Sequence, residues 1–163
     1  MIIKLIYTVF LALLVALFVG LGIDAFYPAP EAPDYPARLE APLKSDCSNC
    51  TETAEDKAAR EEYNQAQDKY QEDSKVYNRN VSIIALAAAI IILIFSLTLL
   101  SKIKMIADGI LLGGVFTTAY GIIRGLMSDS SRFRFFIVAV GLVIAFVLGY
   151  IKFIRPKGIP KKN

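Results

Sequence analysis

The chain contains no histidine. That removes the side chain that most often acts as a general base near neutral pH, and also the commonest metal ligand. Only two cysteines occur, Cys47 and Cys50. Two thiolates without further ligands do not make a metal site, so neither a metal nor another cofactor is expected. No glycine or proline falls between positions 53 and 100, which leaves that stretch without a helix breaker. The long apolar runs carry no ionisable residue near their middles, where a transporter or proton relay would want one. A soluble basic face is also missing, so the net charge of +3 does not point to nucleic acid. No catalytic constellation is visible, and no repeat recurs at solenoid or propeller spacing.

What the chain does have is apolar residues in blocks. Hydrophobic residues make up 55% of the 163 positions, a high share for a soluble protein of this length. They concentrate in four runs, 1–23, 81–101, 103–127 and 135–154. Each is long enough, or nearly so, to cross a hydrocarbon core of about 30 Å as a helix. The first run could be a cleaved signal peptide, but it is long for one and no A-x-A ends it, so an uncleaved anchor is expected. Between the first and second runs lies a hydrophilic insert, 24–80, with thirteen acids against seven bases; the rest of the chain has eleven bases against two acids. The expected fold is all-α: a polytopic four-transmembrane-helix bundle ending in a basic tail, 155–163.

Lysine and arginine near the span ends set the orientation. Four spans put both termini and the 2–3 connection on one side, which receives Lys4, Lys102, Lys104, Lys152, Arg155, Lys157, Lys161 and Lys162. The 3–4 connection has Arg132 and Arg134, partly offset by Asp129. Both termini are therefore expected in the cytoplasm of a cell bounded by this plasma (inner) membrane, with 24–80 outside.

The insert divides in two. Its first part, 26–43, holds prolines 28, 30, 33, 36 and 42, and fixed φ angles with missing donors predict an extended, polyproline-like arm. From Thr53 the composition becomes Ala, Glu, Gln, Lys and Tyr. Thr53 with Asp56 resembles a capping box, and Glu55 and Asp56 suit a helix N-terminus. With no breaker before the second span, one continuous helix is expected, its polar part about 40 Å long. Along it Tyr63, Tyr70 and Tyr77 recur every seven residues with Ala59 and Ala66 between them. Such a stripe needs a cover. The proline arm can supply it, since prolines stack on aromatic faces; so can a partner helix, from another membrane protein or a copy of this chain.

Cys47-Ser48-Asn49-Cys50 precedes that helix. Outside the cytoplasm such a pair is expected to oxidise to a small structural disulfide. The competing reading is redox chemistry, because a helix N-terminus lowers the thiolate pKa in CxxC motifs. In the third run Gly109, Gly113, Thr117, Gly121 and Gly125 fall every fourth residue, beside Gly114 and Thr118. Small residues at that spacing let helix backbones approach closely. The other runs echo it with Ala12, Ala16 and Gly20, with Ala85 and Ala89, and with Gly141, Ala145 and Gly149. The third span is thus expected at the centre of the bundle.

Four spans with a CxxC in the first outer loop resemble the quinone-linked membrane oxidoreductases that regenerate periplasmic disulfides, on Cys47 and Cys50 alone. That family relays electrons through a second cysteine pair, which this chain lacks. Claudin-like and tetraspanin-like proteins share the span count without the cysteine pattern, and the sequence assigns no family. The function expected is that of a non-enzymatic membrane scaffold or accessory subunit, making protein contacts through its outer helix. The alternatives are a thiol–disulfide oxidoreductase using Cys47 and Cys50, and an oligomeric channel or transporter component built on the third span.

Overall fold

A computed structural model describes residues 2–40, 53–99 and 103–154. Cys47, Cys50, Lys102 and the basic tail lie outside the described residues, and with them the expected disulfide. Among the described residues every regular element is helical. The order is α1 (Ile2–Phe26), a single turn α2 (Ala37–Glu40), α3 (Ala54–Leu99), α4 (Lys104–Leu126) and α5 (Ser131–Gly149), which continues as a π-helical turn over Tyr150–Ile154. Four of these helices are long and apolar enough to cross a membrane. In hydrocarbon every backbone group must be satisfied within the segment, and the helix does this.

The helix ends have local causes. α1 runs past Ile23 through Asp24 and Ala25, because nothing breaks it before Pro28; a residue that precedes proline avoids the α region, and Tyr27 closes the end with an N–H to the Ile23 carbonyl at 2.7 Å. Residues 28–36 are neither helix nor strand. Pro36 then starts α2, its carbonyl accepting from the Leu39 N–H at 2.9 Å; the fixed proline φ suits a helix start. The arm is therefore not extended throughout, since 37–40 forms a turn of helix. At the head of α3, the Thr53 hydroxyl accepts from the Asp56 N–H at 3.2 Å, while an Asp56 carboxylate oxygen accepts from the Thr53 N–H at 3.3 Å. This is the reciprocal capping box. α5 begins at Ser131, because the Ser130 side chain accepts from the Phe133 N–H. Arg132 and Arg134 thus sit in its first turn, and not in the connection as expected.

The chain forms two compact units. One comprises Met1–Tyr27 with Asn78–Asn163, and the other is Pro28–Tyr77.

In the first unit α4 is packed by all three other helices. Only 6% of the most apolar stretch of α1 is buried, and 11% of that of α5, against 39% for α3 and for α4. The α3/α4 pair is therefore the core, with α1 and α5 laid on its outside. Val81, Ala85, Leu86, Ala89 and Leu93 of α3 are buried, a run at three- and four-residue spacing that marks one helix face.

In the second unit the half-buried and buried positions of α3 are 56, 59, 63, 67, 70, 74, 75 and 77. Ala66, expected in the stripe, is exposed, and Gln67 takes its place. At about 100° per residue, four positions beyond Tyr63 lies some 40° from it around the helix, whereas three positions lies about 60° away.

Candidate functional site

The glycines of α4 serve two faces. A methyl group at Gly109 would lie 2.8 Å from Leu11 Cδ2, and one at Gly113 would lie 2.7 Å from Val15 Cβ and 3.2 Å from the Ala12 carbonyl oxygen. These two glycines seat α1, which runs parallel to α4. At Gly114 the obstacle is Leu93 of α3, at 2.6 Å, and at Gly121 it is Leu86, at 3.1 Å. Gly125 meets Ser82 of α3 at 2.7 Å and Ile137 of α5 at 2.9 Å. Thr117 and Thr118 are buried, and their hydroxyls donate to the carbonyls of Gly113 and Gly114 on their own helix, each at 2.9 Å. That bond satisfies a hydroxyl without a partner helix. Of the echoing small residues, Gly141 meets Ile122 of α4 at 2.5 Å, but Gly20 and Gly149 have nothing within 4 Å.

Two serines that sequence reasoning passed over fix α3 against α4. Ser82 Oγ donates to the Gly121 carbonyl at 2.6 Å and Ser96 Oγ to the Ala107 carbonyl at 2.7 Å. Both serines are fully buried. The donors and the acceptors are each separated by two heptads, so the bonds sit about 21 Å apart along the axis and define an antiparallel register. The signal was present in the sequence: polar residues inside an Ile/Leu/Ala span, on the face that also carries Ala85 and Ala89.

Ionisable groups cluster at the ends of this unit. Asp108, near the start of α4, pairs with Lys152 of the π-helical turn after α5, a partner 44 residues away and not the Lys104 one turn from it. At the opposite end, Arg124 donates to Asn78 Oδ1 at 2.9 Å and to the Tyr120 hydroxyl at 3.2 Å, and its guanidinium lies 5.5 Å from the Tyr120 ring centre. Asn80 Nδ2 donates to the Tyr27 hydroxyl at 2.9 Å, tying α3 to the end of α1. Arg134 donates to the Ser128 carbonyl in the α4–α5 connection at 2.6 Å. Arginine and tyrosine together keep a charged head and polar tips satisfied beside apolar surface. An open cleft of about 800 Å³ separates α1 from α3 along part of their length, lined only by apolar side chains such as Phe18, Leu21, Ile91, Phe95 and Ile110.

In the second unit, Tyr63 stands edge-to-face with Tyr35 of the 28–36 segment, ring centres 5.1 Å apart. Tyr70 is half-buried and Tyr77 is buried. The rest of the helix surface is charged and exposed, with the acids Glu55, Glu61, Glu62, Asp68, Glu72 and Asp73 and the bases Lys57, Arg60 and Lys69. Among the described residues no group of three acidic or cysteine side chains is placed to hold a metal.

No protein-family model matches this chain, and no curated protein or solved structure matches it either.

Proposed function

We propose that this chain is an integral membrane scaffold or accessory subunit, with residues 24–80 outside the cytoplasm and both termini inside. Its partners are other membrane proteins or copies of itself, met through the polar part of α3. The observation that carries this reading is the composition of α3. It has an apolar half with one face buried against α4, and a polar half whose exposed surface holds six carboxylates against the three bases Lys57, Arg60 and Lys69. Charge on such a surface steers the approach of a partner of complementary charge.

The oxidoreductase alternative rests on Cys47 and Cys50, which lie outside the described residues. The channel alternative would need the α4 glycines to line a pathway, whereas they face Leu11, Val15, Leu86 and Leu93. The scaffold reading is tested by mass determination of the whole protein in mild detergent, with and without amine crosslinking in the native membrane. An assembly, of this chain or with a second protein, is expected. A lone chain under both conditions overturns the reading.

A further inference from the structure

Polyproline helices place every third residue on one face. Along the 28–36 segment the half-buried positions are Pro30, Pro33 and Pro36, at that period, and the residues between them are exposed. Within the same compact unit, α3 has its own sheltered stripe through Tyr63, Tyr70 and Tyr77, and the edge contact of Tyr35, the residue before Pro36, with Tyr63 brings the arm against that helix. Their lengths agree. From Pro28 to Tyr35 a polyproline rise covers about 22 Å, and from Tyr63 to Tyr77 the α-helical rise covers about 21 Å. Aromatic grooves take proline-rich segments because the ligand is pre-ordered and its rings lie flat on aromatic faces.

We infer that the tyrosine stripe of α3 is a polyproline-binding groove, occupied within the chain by the arm that carries Pro30, Pro33 and Pro36. The arm acts as a strap. It gives the polar half of α3 the packing without which a single helix is marginal in water. Being tethered, it competes at an effective concentration in the millimolar range. External proteins are then met by the carboxylate face, and not by the tyrosines. The inference stands apart from the partner reading: a lone chain in detergent would overturn that one and leave the strap untouched.

The test uses the full chain in detergent. Hydrogen exchange is followed over residues 54–77 in the native protein and in a Pro30→Ser/Pro33→Ser/Pro36→Ser variant. Exchange there is expected to rise about fivefold or more, with residues 104–126 unchanged as the internal control for folding. A synthetic peptide of residues 26–38 added at millimolar concentration should restore the protection in the variant. Exchange that ignores the three prolines, or a peptide that restores nothing, overturns the groove. A second measurement places cysteines by Tyr35→Cys and Tyr63→Cys in a Cys47→Ser/Cys50→Ser background and joins them with a short bis-maleimide. Bridging within one chain supports the strap, and bridging only between chains assigns the stripe to a second copy and overturns it.

Discussion

Gly113 and Gly20 look alike in the sequence, each a small residue in a small-every-fourth series, yet a methyl group means different things at the two sites. At Gly113 it would strike Val15 at its Cβ and approach the Ala12 carbonyl, atoms close to the α1 backbone that cannot swing aside. At Gly20 it would meet nothing within 4 Å. Overpacking at a close helix contact costs about 1–3 kcal/mol. Gly113→Ala should therefore lower the thermal midpoint in detergent, and Gly113→Leu should lower it further. Gly20→Ala should leave the midpoint unchanged or raised. Equal midpoints for Gly113→Leu and the native protein would mean that α1 does not seat on that glycine.

At the scale of elements, α3 and α4 are held by shape and by two hydrogen bonds. Lipid tails are as apolar as leucine, so transmembrane helices associate through close packing and polar contacts. Leu86 and Leu93 fill the notches at Gly121 and Gly114, and Ser82 and Ser96 pin the ends of that contact. Interhelical bonds of this kind are worth about 0.6 kcal/mol each, up to about 1.7. Sites this far apart should add. The double variant Ser82→Ala/Ser96→Ala is expected to lose about the sum of its single variants in a detergent unfolding titration. Thr117→Val should lose less than either serine change, because the Thr117 hydroxyl bonds only its own helix. A Thr117 effect larger than that of Ser82 would contradict this assignment.

For the whole molecule, orientation is set by lysine and arginine counts. A cysteine introduced at Lys162, with Cys47 and Cys50 changed to serine, should resist an impermeant thiol reagent on intact cells and react after permeabilisation. Efficient labelling of intact cells would invert the proposed topology and move the carboxylate face of α3 to the cytoplasm. The structure adds a distinction between the two ends of the bundle. Asp108 is tied to Lys152 at one, and Arg124 is held by Asn78 and Tyr120 at the other. Both ends fix a charged side chain with a partner on another helix.

The number of spanning helices and the start of α3 were legible in the sequence, because their causes are local. A run of apolar residues in hydrocarbon has to be helical, and Thr53 with Asp56 caps the start of α3, whereas α1 overran its expected end at 23 to reach Phe26 and α5 began at Ser131, before 135. The period of seven along α3 was legible too, though Ala66 and Gln67 exchanged places once rotation around a real helix was counted. What the tertiary structure alone decided was which face meets which neighbour. The every-fourth-residue glycines of α4 read as a single ridge, but Gly109 and Gly113 seat α1 while Gly114 and Gly121 seat α3. Asp108 reads as the neighbour of Lys104, yet it is Lys152 that reaches it. Every side of a spanning helix is apolar, so hydropathy does not mark the buried one. The choice rests on steric fit and single polar contacts between residues far apart in the chain, and only folding brings those together.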